Sequence, residues 1–319
     1  MKTALIFGVS GQDGAYLSQF LLNKGYRVIG TSRDVHSASF KNLDALGIRD
    51  NIQLLSVSLY EFRSVLQAIN STKPDEIYNL AGQTSVRLSF DQPVEAFESI
   101  SIANLNILEA IRFLKIPTRY YNAGSSECFG NTNGKAATED LPFHPRSPYA
   151  TAKAAAFWQL ANYREAYHLF ACSGILFNHE SPLRPDHFVT QKIVSGACRI
   201  NKGQQKLLNL GNISVERDWG WAPEYVESMW LMLQQQNCED FLIATGESNT
   251  LESFIEAVFS YMNMDWRDHV KCDQTLWRPT DINSIRANPS KAELQLGWKA
   301  KYKMKDVAQM MVEHELSSK

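Results

Sequence analysis

The stretch KTALIFGVSGQDGAYLSQFLLN, residues 2–23, decides the fold. Its first six residues are an apolar run of the kind buried on both faces in a central parallel strand, and the run stops at a glycine. Gly8, Gly11 and Gly14 then recur every third residue, and residues 15–23 carry the apolar spacing of an amphipathic helix. A strand, a glycine turn and a helix in this order let the backbone bend sharply. They also bring the unpaired N–H groups of the helix start against a pyrophosphate. The spacing therefore predicts a dinucleotide-binding βα unit, with Ser10, Gln12 and Asp13 adding side-chain contacts to the three glycines.

Outward from this unit the pattern repeats. Residues 26–31, 52–57, 76–79 and 119–123 read as strands, and residues 64–70 and 94–113 as helices. Such alternation is the pattern of a doubly wound α/β sheet. The second strand runs into Ser32, Arg33 and Asp34. An arginine there suits the 2′-phosphate of NADP and an acid suits the 2′-hydroxyl of NAD; Arg33 comes first, beside a serine, which favours NADP with NAD as the alternative. The fourth strand closes on Asn79, Leu80, Ala81, Gly82 and Gln83, small residues where a cofactor's ribose and nicotinamide would pass. Ser85 and Arg87 follow towards the same cleft.

Chemistry is concentrated in NAGSSECFG (122–130) and RSPYATAKAAAFW (146–158). Tyr149 and Lys153 stand four apart in an alanine-rich helical segment, so they share a face. A phenol with an ordinary pKa of about 10 is a poor base at neutral pH; a neighbouring ammonium stabilises its anion. Ser125 ends a strand, where its hydroxyl could hold an alcohol oxygen near that phenolate. Glu127 lies two residues on and in an extended backbone would point to the same side. Ser125, Tyr149 and Lys153 suit hydride transfer between an alcohol and a ketone; Glu127 adds a base for a proton on carbon.

The 319 residues are 44% hydrophobic and 21% charged with a net charge of -2, which gives no basic face for nucleic acid and no polybasic membrane patch. The five cysteines are scattered, odd in number and without CxxC spacing, which argues against zinc or a disulfide framework and for reduced thiols in a cytoplasmic setting, and no metal site is expected. A strand begins at once, leaving no room for a signal peptide, and no apolar run reaches membrane-spanning length. Helical patterns at 250–261, 291–296 and 304–316 suit a smaller α-rich domain.

With these motifs in view, the chain resembles the extended short-chain dehydrogenase/reductase superfamily, and within it the GDP-mannose 4,6-dehydratases. The resemblance spans nearly the whole length. It rests on GVSGQDGAYL (8–17), SPYATAK (147–153), NYREAYHLFACSGILFNHESP (162–182), FVTQKI (188–193), ERDWGWAPEYVESMWLMLQ (216–234), LIATGES (242–248), and RPTDI followed by NPSKAELQLGWK (278–299). It implies a Rossmann-type sheet in residues 1–177, with later segments at about 213–240 crossing back, and a sugar-nucleotide domain in residues 178–319.

The same resemblance implies a lyase that turns GDP-mannose into GDP-4-keto-6-deoxymannose, with NADP reduced and reoxidised within one turnover. Ser125, Glu127, Tyr149 and Lys153 match the family's catalytic set, the last two also touching the cofactor. Asn178, Lys192, Arg217 and Arg278, with Ser85, match its substrate contacts; Arg217 also stands beside Asp218, with which it could pair. A homodimer or homotetramer is implied. Gly124 and Ser125 stand where the family usually has Ser and Thr, which keeps the hydroxyl and would enlarge the sugar site. LRPDH at 183–187 departs from the family pattern beside the pocket. Both departures make a GDP-linked heptose an alternative substrate. An epimerase or 4-ketoreductase of the superfamily would use Ser125, Tyr149 and Lys153 without Glu127.

Overall fold

The apolar runs become the strands that the sequence predicts. In the computed structural model, which describes residues 1–317, Thr3–Phe7 (β1), Arg27–Ser32 (β2), Gln53–Ser56 (β3), Glu76–Asn79 (β4) and Arg119–Ala123 (β5) are joined by Ala171–Leu176 (β6) and Phe241–Ile243 (β7). They form one sheet in the order β7-β6-β5-β4-β1-β2-β3. The pairings from β3 through to β6 are all parallel. The winding reverses between β1 and β4, and in open α/β sheets ligands bind outside the carboxyl ends of the strands at that reversal. The Rossmann-type expectation holds. The last two strands carried no expectation, because β6 (ACSGIL) is too short and evenly apolar to be told from buried helix by periodicity.

The chain divides into two compact units. One comprises Met1–Cys128, Ser147–Leu176 and Val226–Phe241, and the other Phe129–Arg146, Phe177–Tyr225 and Leu242–Lys319. In the first, Gln12–Asn23 (α1), Phe62–Thr72 (α2), Ala103–Leu114 (α3) and Pro148–Tyr167 (α4) are the main helices. Leu5, Phe7, Ile29, Ile77, Ile107 and Ile111 lie at the centre of its core, all essentially inaccessible to water. In the second unit, Val189–Asn201, Leu251–Tyr261 and Met304–Ser317 pack together around Phe254, Val258, Val307 and Met311. Its three-stranded sheet joins Asn178–Glu180 to Glu216–Trp221 and Ser248–Thr250.

The helix expected over 94–113 forms, with a π-helical turn set within it. Pro93–Phe97 is followed by a π-helical turn, Glu98–Ile102, before α3 begins. The cause is local: Ser99 Oγ donates to Glu95 O at 2.6 Å, and the backbone N–H of Gln83 donates to Ser99 Oγ at 3.1 Å. A serine hydroxyl competing for helical carbonyls disturbs the ladder, and here the disturbance grips the loop that leaves β4. Among the described residues no helix is long and apolar enough to cross a membrane.

Candidate active site

The glycine turn divides its work between the fold and an open side. Gly8 has φ +88°, and a Cβ there would stand 2.8 Å from the backbone nitrogen of Ala81; on Gly14 it would stand 2.3 Å from Gly8 O. These two positions are glycine because backbone passes against backbone. A Cβ on Gly11 would meet only Gly8 O, at 3.5 Å. Gly11 is the N-cap of α1 and supplies no capping side chain, so the first N–H groups of the helix face an open flank. Asn42 Nδ2 holds Ser10 O at 3.0 Å, and Gln12 Nε2 donates to Asp13 Oδ1 at 3.0 Å within the first helical turn.

At the end of β2, Asp34 turns back on its own loop. Its Oδ1 accepts from His36 N at 2.9 Å and its Oδ2 from Ser37 Oγ at 2.7 Å, bonds that hold the carboxyl below its ordinary pKa. Arg33 remains as the exposed charge of the strand end. Beyond β4, Leu80 N donates to Phe7 O and Ala81 N to Asn79 Oδ1, whose amide donates to Asn122 Oδ1 at 2.9 Å. Gln83 Nε2 donates to Ser85 O at 2.8 Å, while its Oε1 is buried with no partner among the described residues. A buried acceptor left unmet beside an open glycine turn is what a donor on a bound dinucleotide would satisfy. The residues present fit such a cofactor.

Tyr149 and Lys153 lie on α4, which Ser147 caps by accepting Ala150 N at 3.1 Å, with Pro148 preset at the first position. Both side chains are buried. Lys153 Nζ donates to Ala123 O at the end of β5 at 2.7 Å and lies 5.8 Å from the centre of the Tyr149 ring. Burial pulls the ammonium down to about 8, against the opposing fields of Cys128 and Asp13. The Tyr149 ring packs on Ile100 of the π turn and on Ala152 and Ala156. Ser125 is buried at the exit of β5.

Two expectations here are corrected. The backbone after Ser125 is not extended: Ser126–Phe129 is a 3-10 turn, and Glu127 N donates to Ser125 Oγ at 3.3 Å. A serine side chain that captures the N–H two residues on folds the chain into such a turn, so the backbone curl, and not strand alternation, sets the direction of the partly exposed Glu127. Gly124 does not enlarge a sugar site. A Cβ there would run into Ser173 Oγ at 2.8 Å and Gly174 O at 2.9 Å on β6, so the missing side chain is room taken by the neighbouring strand.

Ser85 caps the short helix Val86–Asp91, its Oγ accepting Leu88 N at 3.2 Å and keeping its own proton to donate. The other substrate candidates lie in the second unit. Arg217 is buried; its Nη1 donates to Glu216 O and Ile282 O, each at 2.8 Å, and its Nη2 lies 3.6 Å from Asp281. Arg278 reaches the same carboxylate at 3.5 Å. Asp218 does not pair with Arg217, because successive residues on a strand face opposite sides; it accepts Thr245 N and Gly246 N, and burial raises it to about 6. Lys192 Nζ donates to Asn209 O at 2.7 Å, and Asn178 pairs with Trp219 at the strand edge. Arg184 of the divergent 183–187 segment closes on Glu180 at 2.7 Å and lies over Phe188, pinning that turn.

Several participants carried no signal as single letters. Cys128 Sγ meets Ala150 O at 3.6 Å, tying the Ser125–Glu127 turn to the first turn of α4. Asp281 joins two arginines, a charge pairing legible only once the two segments meet.

The family profile described as GDP-mannose 4,6 dehydratase matches residues 5–311. GDP-mannose 4,6 dehydratase 1 of Arabidopsis thaliana is 44% identical over 325 residues, 99% of this chain and 90% of that protein. GDP-mannose 4,6-dehydratase of Vibrio cholerae is 37% identical over 349 residues, 99% and 94% of the two chains. Among solved structures, a Thermus thermophilus UDP-glucose 4-epimerase in complex with NAD superposes with TM-score 0.87 at 24% identity, covering 99% of this chain and all of that one. A Bacillus anthracis dTDP-glucose 4,6-dehydratase in complex with NAD gives 0.84 at 18% identity, covering 98% and 96%. These two superpositions speak for the fold.

Proposed function

The chain belongs to the GDP-mannose 4,6-dehydratase family, and on that footing we propose that it removes water from GDP-mannose to give GDP-4-keto-6-deoxymannose. The observation that supports this chemistry most is the buried Lys153 ammonium, bonded to the end of β5 and set beside the Tyr149 ring, with Ser125 and Glu127 in the turn that follows the same strand.

Tyr149 serves as the base for the C4 hydroxyl. The Lys153 ammonium favours its phenolate, and Ser125 holds the sugar oxygen through the hydroxyl that also anchors the Glu127 N–H. Once C4 is a ketone, the C5 proton is acidic. Glu127 removes it and assists departure of the C6 hydroxyl, so the sugar loses one hydrogen at C5 and one hydroxyl at C6 as water. A bound NADP would supply the hydride acceptor for C4 and the donor for C6, and the proton that Tyr149 took from the C4 hydroxyl returns at C5 as C6 is reduced, so that no reductant is consumed and both bases are restored. Gly8, Gly11 and Gly14 with Ser10, Gln12 and Asp13 would hold its pyrophosphate, Arg33 its 2′-phosphate, and Leu80, Ala81, Gln83, Tyr149 and Lys153 its ribose and nicotinamide.

The diphosphate of GDP is met by Arg217 and Arg278, whose two charges exceed the single one of Asp281, with Lys192 adding a third cation. Asn178 and Ser85 contribute hydrogen bonds to the sugar nucleotide. The first unit is the nucleotide-binding domain and the second the sugar-nucleotide domain. We place the protein in the cytoplasm with no nucleic-acid partner, as a homodimer or homotetramer with an interface through Pro93–Phe97, the π turn and α4, where Val94 and Trp158 are 66% and 62% exposed.

Mass spectrometry after incubation with GDP-mannose, GDP-heptose, UDP-sugars and dTDP-sugars tests the substrate class. A product lighter by one water from GDP-mannose is expected. Loss of water from a dTDP-sugar and from no GDP-sugar would overturn the reading.

A further inference from the structure

The segment between Cys128 and Ser147 encloses a cleft of about 430 Å³, within the size range of small-molecule sites. We infer that this cleft is an anion site that takes a phosphate group, built from Lys135, Arg146, His144 and the amide of Asn131. The inference rests on the side chains of the cleft and not on the dehydratase reading.

The walls are fixed. Thr132 N donates to Ser284 O at 3.2 Å and Asn288 N to Ala137 O at 2.8 Å, while residues 136–137 pair with 286–287 as a two-stranded ladder. Thr280 Oγ1 donates to Arg146 O. Gly130 lies so close to His144 that a Cβ would stand 2.3 Å from its carbonyl oxygen. The loop is thus stapled at both ends to residues 280–288.

The stapling occupies two side-chain acceptors of the loop. Asn131 Oδ1 accepts the N–H groups of Asn283 at 2.7 Å and Ser284 at 3.4 Å, which leaves its NH2 group to donate. Thr132 Oγ1 accepts Arg286 N at 3.2 Å. No carboxylate is among the lining residues. Lys135, His144 and Arg146 are exposed and form no side-chain ion pair among the described residues. A cleft offering an ammonium, a guanidinium, an imidazole and an amide NH2, with no carboxylate in its lining, favours a tetrahedral anion over a cation. Phe129 and Leu141 give it an apolar wall. The phosphate could belong to the nucleotide of the sugar substrate or to a separate phosphorylated metabolite.

Titration calorimetry of inorganic pyrophosphate into the full-length protein, saturated with NADP and GDP, separates these sources. One further site is expected, weakened at least about tenfold in Lys135→Gln/Arg146→Gln, and unchanged in Lys271→Gln, which removes an exposed charge elsewhere. If the GDP-loaded protein takes up no pyrophosphate but the double variant raises the KM for GDP-mannose tenfold with kcat unchanged, the phosphate is the substrate's own. No pyrophosphate uptake together with an unaltered KM in a folded double variant would overturn the anion site.

Discussion

Lys153 is kept charged where charge is costly. Burial lowers its pKa from the ordinary 10.5 to about 8, a shift worth about 3 kcal/mol of differential solvation. Because the folded pKa lies below the unfolded one, the folded protein binds fewer protons between pH 8 and 10.5, and stability rises with pH across that window. Below pH 8 the penalty is felt in full. Lys153→Met should therefore raise the melting temperature at pH 7, the gain shrinking as pH climbs towards 10.5, while turnover falls at least about a hundredfold; calorimetric scans at several pH values check the sign. Glu127→Gln should lower product formation by about 10² to 10⁴ and abolish solvent deuterium entry at C5, read by NMR. At the cofactor end, Arg33→Ser should weaken NADP binding by about tenfold or more and leave NAD nearly unaffected, since a guanidinium bond to phosphate is worth about 1.5–3 kcal/mol. Asp34 cannot take over that role: its carboxylate is an acceptor, already bonded to His36 N and Ser37 Oγ, and would repel a phosphate.

The N-terminal strand, turn and helix were legible because each glycine there has a steric reason, and those reasons differ. Gly14→Ala drives a methyl into Gly8 O and Val9 and should destabilise the protein by about 1–3 kcal/mol or prevent folding. Gly11→Ala meets only Gly8 O at 3.5 Å, so it should fold normally and lose cofactor affinity. Denaturant unfolding and fluorescence titration with NADP distinguish the pair. What was not legible depends on contacts distant in sequence. The π turn exists because Ser99 answers Gln83 across 16 residues, and periodicity over 94–113 contains no trace of that loop. The same holds for Glu127: two-residue spacing suggested strand alternation, whereas the Ser125 hydroxyl curls the backbone. The helical spacing of Tyr149 and Lys153, by contrast, needs only the alanine-rich run and its Ser-Pro start, and α4 forms as expected.

Over the molecule as a whole, the order of motifs carried more than any single one. GxxGxxG, a strand ending in serine, a four-residue Tyr to Lys spacing and the arginine segments at 217 and 278 fall in the sequence of one family from end to end, and the profile match over 5–311 agrees. The reading of Gly124 failed because a glycine's purpose lies in its neighbour, here Ser173 and Gly174 on β6. At this scale the exposed apolar face also has a consequence. Trp158→Glu with Val94→Glu should yield a soluble monomer in sedimentation equilibrium, under conditions where the parent chain is expected to sediment as a dimer or larger. The most direct test of an internal redox dehydration is the fate of a labelled hydrogen. With GDP-mannose carrying deuterium at C4, the expected product is GDP-4-keto-6-deoxymannose with that deuterium at C6; a product whose C6 lacks the label, with deuterium released to solvent or left on the cofactor, would contradict it.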